Sequence, residues 1–103
     1  MKNEVNKEYT IGLGAEVETT EPALYQVVVH NDDFTPMEFV VNLLEKLFYM
    51  DRRRAIEIML EAHTKGMAAF GRYTKDVAET KVSEVLEHAR MHEHPFICSM
   101  EAA

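Results

Sequence analysis

The chain has 103 residues, enough for one small domain in which about 80 contribute to a core, with no room for a second. Eighteen acidic against eleven basic residues give a formal charge of −7, which argues against nucleic-acid binding because phosphate contacts need clustered Lys and Arg; the one basic run, Arg52-Arg53-Arg54, is too short to reverse that. A single cysteine, Cys98, excludes an internal disulfide, and no apolar run approaches the roughly 18 residues of a membrane span. With no apolar leader behind Met1-Lys2-Asn3-Glu4, a cytoplasmic location is the expectation.

Residues 1–23 carry Gly12, Gly14 and several glutamates without sustained periodicity, so they read as a flexible tail ahead of a core domain over 24–103. Tyr25 to His30 is a β-branched run and predicts a strand buried on at least one face. Asn31, Asp32 and Asp33 follow, and then Thr35-Pro36-Met37-Glu38 has the order of a capping box, with Thr35 at N-cap and Glu38 at N3. Pro36 falls at the first helical position, where its missing donor costs nothing. A helix from Pro36 to about Tyr49 would carry the stripe Phe39, Val40, Leu43, Leu44, Leu47 and Phe48. Asp51 is placed to cap a second helix with Ile56, Met59, Leu60 and His63 on its apolar side, and Gly66 to end it.

Met67 to Tyr73 predicts a second strand, and Thr74 offers an N-cap for a third helix from Lys75 to about Met91, with Val77, Ala78, Val82, Val85, Leu86 and Ala89 inward. Pro95 stops that pattern, and Phe96 to Met100 predicts a closing strand. The order is βααβαβ, and a three-stranded antiparallel sheet packed against three helices is the natural α+β arrangement.

Between the first strand and helix, Asn31, Asp32 and Asp33 are acceptors held beside the apolar Met37. That combination suits a cation with an apolar neighbour, although the same residue types also build ordinary turns. His63 falls on the apolar side of its helix, where a histidine is either a core residue bonded to a carbonyl or a functional group. If both helices pack on the sheet, His63, Met37, Met59, Asn31 and Asp32 share one rim. His88, His92, His94 and Cys98 have spacings that bring a zinc site to mind, but Pro95 breaks the geometry and Cys98 falls in a strand, so no metal is expected. No serine or cysteine has an activating partner, so an enzyme is not expected. Asp76, Glu79 and Lys81 open the third helix and read, by themselves, as its solvated face.

The stretch Val29-His30-Asn31-Asp32-Asp33-Phe34-Thr35-Pro36-Met37-Glu38-Phe39-Val40 resembles the signature of the ClpS adaptor family, small proteins that deliver substrates to the Clp protease. The likeness extends to Ala62-His63, to Val77-Ala78-Glu79-Thr80-Lys81 and to Glu93-His94-Pro95-Phe96, in the same order. It implies binding of a polypeptide's N-terminal residue, chiefly Phe, Tyr, Trp or Leu. Asn31, Asp32 and His63 match the residues that bind the α-amino group, Asp33 and Thr35 shape the rim, and Met37, Val40, Met59 and Ala62 match the wall of the hydrophobic pocket, with Phe96 near its floor. Asp76, Glu79 and Lys81 match positions that dock on the N-terminal domain of a ClpA-type AAA+ unfoldase. The resemblance further implies a monomer without a cofactor, whose tail takes part in transfer. Two residues depart from the family pattern, which commonly has a smaller aliphatic residue at Phe96 and a bulkier one at Ala62, leaving the preference among the four residues open. An interaction domain resembling the C-terminal domain of the ribosomal stalk protein is the reading from a different class, and it has no use for an acceptor loop facing His63.

Overall fold

The computed structural model describes residues 23–103; of the expected tail only Ala23 falls among the described residues. Strands β1 (Tyr25–His30), β2 (Met67–Tyr73) and β3 (Cys98–Ala102) alternate with helices α1 (Met37–Phe48), α2 (Arg52–Lys65) and α3 (Lys75–Met91) in the order βααβαβ. β1 is the middle strand, antiparallel to β2 on one side and to β3 on the other. Its Val27, Val28 and Val29 are all buried, the expected state of a β-branched strand paired along both edges. Val27 and Val29 share one core with Leu43 and Leu44 of α1, Ile58 of α2, Val85 of α3 and Phe96. Ala55, Ala62 and Ala89 are buried in the same core.

Three of the expected helix ends form as the residues dictate. The Asp51 side chain accepts the Arg54 amide at 2.8 Å and opens α2, and Gly66 closes it at φ 94°, a left-handed conformation that glycine adopts without steric cost. Thr74 accepts the Val77 amide at 3.4 Å at the start of α3.

The start of α1 differs. Pro36, not Thr35, is the N-cap, and no side chain caps it; the Pro36 carbonyl takes the amides of Phe39 and Val40, so the helix begins at Met37. The capping box does not form because the Thr35 hydroxyl donates to Asp32 Oδ2 at 2.8 Å, while Glu38 pairs with Arg52 at 2.9 Å. On α2 the buried face is Ala55, Ile58 and Ala62, turned by about one position from the expected stripe, with Ile56 and Met59 at its border. Leu60 and His63 are exposed. Ala55, Ile58 and Ala62 share the side of the helix turned to the core, and Leu60, two positions from Ile58 and so about 200° round the helix, falls on the opposite side. On α3 the buried side is Ala78, Val85 and Ala89, and the expected Val77 and Leu86, each one position away from it along the chain, are exposed. β3 begins two residues later than expected, since pairing opens at Val29 with Cys98; Phe96 is buried ahead of it, and the Ile97 carbonyl accepts the His30 amide at 3.1 Å.

Candidate functional site

The end of β1, the loop 31–36, the first turns of α1 and the last turns of α2 surround a cavity of about 280 Å³. Two hydrogen-bonded links hold this end of the molecule together: the Asn31 amide donates to the Gly66 carbonyl at 2.9 Å, and the His30 amide to Ile97. The first ties the loop to the end of α2. Sequences thirty residues apart are thereby fixed on one rim.

Asp32 organises the loop. Its Oδ1 accepts the amides of Phe34 and Thr35, both at 2.8 Å, and its Oδ2 accepts the Thr35 hydroxyl. Burial pushes the Asp32 carboxyl up, but the Thr35 hydroxyl, the two amides and the nearby His94 outweigh it and hold the group below its ordinary value. The carboxylate is therefore ionised and, with about four lone-pair positions, has one direction left for a further donor.

The polar side of the cavity is made by Asn31, Asp32, Asp33, Thr35 and His63, and the apolar side by Met37, Val40, Met59, Ala62 and Phe96. All ten residues that sequence reasoning put at the rim and wall line this one space. Asn31, Asp33 and His63 are exposed, so the polar groups stand at the opening. His63 is thus not a core histidine. The loop and α2 place it, and the Met59 and Ala62 neighbours on its own helix line the same cavity.

His30 also lines the cavity and was not anticipated; its Nε2 lies 2.8 Å from the Ser99 hydroxyl of β3. Its place as the last residue of a strand, directly before the acceptor loop, was the available signal. Asp76, Glu79 and Lys81 lie apart from the cavity on α3. Asp76 and Glu79 are exposed, whereas Lys81 is half-buried and donates to the Leu47 carbonyl at 2.8 Å.

The histidines considered for zinc pack around Phe39, with ring centroids 5.6 Å (His88), 5.4 Å (His92) and 4.5 Å (His94) from it. Among the described residues no three His, Cys, Asp or Glu side chains are disposed to hold a metal ion. Cys98 is buried apart from solvent, and burial pushes its thiol up to about 12, leaving it protonated and unreactive.

A family model described as ATP-dependent Clp protease adaptor protein ClpS matches residues 20–99. An ATP-dependent Clp protease adapter protein ClpS from Alkalilimnicola ehrlichii is 50% identical over 82 residues, covering 80% of this chain and 77% of the relative. The protein of the same name from Ruegeria pomeroyi is 46% identical over 100 residues, covering 97% and 88%. Among solved structures, Agrobacterium tumefaciens ClpS2 bound to L-phenylalaninamide superposes with a TM-score of 0.78 at 34% identity, covering 81% of this chain and 100% of that one.

Proposed function

The chain belongs to the ClpS family of ATP-dependent Clp protease adaptor proteins, and from that membership we propose that it captures proteins by a free N-terminal Phe, Tyr, Trp or Leu and delivers them to the ClpA-type unfoldase of the ClpAP protease. It is an adaptor and not an enzyme. The observation that carries this reading is a single cavity with an apolar wall and a rim of acceptors, Asn31, Asp32 and His63. A solved relative bound to L-phenylalaninamide, a free amine joined to a benzyl side chain, supports it.

The chemistry of the rim follows from the ligand. A free α-amino group has a pKa of about 7.7–8.0, so at neutral pH it is largely a cation that only donates. Its hydrogens require several acceptors, and capture of a free terminus is a recurring binding mode. In this reading Asn31 accepts through its amide oxygen, His63 through an unprotonated ring nitrogen, and Asp32 through its one remaining lone pair. Asp32 also supplies the ionised charge, and Asp33 adds to the negative potential. The apolar wall takes the side chain. Its burial contributes about 1.5–3 kcal/mol, and a donor left unmet on the amine costs about 1–3 kcal/mol, so each half enforces the other.

Delivery requires a second surface. Docking of exposed Asp76 and Glu79, with Lys81, on the N-terminal domain of the unfoldase is proposed for the opening turns of α3. The adaptor acts as a monomer in the cytoplasm; a single buried cysteine suits a reducing compartment. Among the described residues no helix is long and apolar enough to cross a membrane.

The test is a fluorescence-anisotropy titration with peptides beginning in Phe and their N-acetylated counterparts. The free amine is expected to bind at least tenfold more tightly, since acetylation removes the charge and two donors. His63→Ala weakens the free-amine peptide while leaving the thermal midpoint within a few degrees. Equal affinity for the two peptides would rule out amine capture.

A further inference from the structure

Three residues line the cavity while being almost wholly buried: Ala62 at 5%, Phe96 at 6% and Val40 at 7% exposure. They form its floor. Met37, at 45%, stands at the mouth, and Met59 lies between. The floor thus presents an aromatic ring, one β-branched side chain and, at Ala62, nothing beyond a methyl group.

Resting on the adaptor reading above, we infer that Phe96 and Ala62 make this site select aromatic N-terminal residues over leucine. An aromatic guest meets the Phe96 ring, and ring pairs gain from edge-on or offset contact beyond the area they bury. Leucine has no such term. The two thioethers, Met37 and Met59, add a second preference of the same sign, because sulfur favours the edge of a ring. Ala62 acts through space. A methyl at that position leaves a recess that a flat ring extends into, whereas the shorter, branched isobutyl group fills less of it. Atoms lining an unfilled apolar recess forfeit their dispersion contacts. The floor is fixed in place: Phe96 and Ala62 belong to the core together with Val29 and Leu44, so the recess cannot readily collapse onto the smaller guest.

The experiment measures dissociation constants for four peptides identical except for a first residue of Phe, Tyr, Trp or Leu, with an acetylated Phe control, on the full chain and on Phe96→Leu and Ala62→Val. The full chain is expected to bind the Phe peptide about tenfold more tightly than the Leu peptide, which corresponds to about 1.4 kcal/mol. Phe96→Leu brings that ratio below about threefold, chiefly by weakening the aromatic peptides, and Ala62→Val weakens the Trp peptide most. Phe and Leu peptides bound within twofold of each other by the full chain would overturn the proposal and leave amine capture standing. Failure of every free-amine peptide to exceed the acetylated control would instead overturn the adaptor reading, and the proposal with it. Thermal melting establishes that each variant is folded. If Phe96→Leu does not fold, Ala62→Val decides alone, and an unchanged peptide ranking in it overturns the assignment.

Discussion

At the scale of single residues, Asp32 carries more than its place in a turn suggests. Its three short hydrogen bonds define the loop, so one carboxylate both shapes the rim and supplies its charge. Its folded-state carboxyl lies below the ordinary value, so its contribution to stability is complete above about pH 4 and is lost as the pH falls through the lower folded value. Asp32→Ala is therefore expected to lower the urea midpoint at neutral pH, with the gap to the unmodified chain closing in acid. A gap that stays constant from neutral pH to well below about pH 4, past the lowered folded value, would show that ionised Asp32 does not hold the loop. Thr35 and His63 were both recognisable from the sequence as residues of this site, but their local settings differ from the expected ones. Thr35 is a donor to Asp32 rather than a helix cap, and His63 is exposed rather than part of the core stripe. Each difference has the same origin: local spacing lists the partners a side chain can reach but not the competitor that wins.

At the scale of elements, the end of α2 matters most, because Gly66 performs two functions. Its φ of 94° turns the chain out of the helix, and its carbonyl holds the Asn31 amide. An added Cβ would meet no atom within 4 Å, so the penalty for Gly66→Ala is backbone strain alone. That strain is expected to cost about 1–2 kcal/mol in urea denaturation, accompanied by weaker binding of a Phe-initiated peptide as Asn31 shifts. A variant as stable as the original would mean that the turn relaxes freely. Glycine after an apolar-periodic run made this helix end legible, as Asp51 and Thr74 made two helix starts legible. The face of α2 was not. Ala55, Ile58 and Ala62 take the interior over Leu60, because the rotation of a helix is set by what it packs against and the hydrophobicity of its residues does not by itself record that.

At the scale of the whole molecule, the cavity and the proposed docking turns of α3 lie on different parts of one small framework, joined through α1. Lys81 is part of that joint: besides bonding the Leu47 carbonyl, its ammonium lies 5.9 Å from the Phe48 ring centroid and 5.4 Å from that of Tyr49. Lys81→Ala is accordingly expected to destabilise the fold by about 1 kcal/mol as well as to weaken docking. Asp76→Lys, at an exposed position, should weaken docking and leave the melting temperature within about a degree. Calorimetric titration with the isolated N-terminal domain of the unfoldase, paired with thermal melts, separates the two effects; undiminished docking by both variants would remove this turn from the interface. The sequence by itself determined the element order, because β-branched runs, helical periodicity and the breakers Gly66 and Pro95 are local signals whose physics acts within a few residues. Together with the family likeness, it also pointed to ten of the residues around the cavity, His30 excepted. Tertiary structure alone decided the roles within it: that three of the Asp32 lone pairs are already occupied, that His63 faces solvent, and that Ala62 lies on the floor. Those outcomes depend on competition and packing between segments far apart in the chain, where the nearest partner in space is not the nearest in sequence.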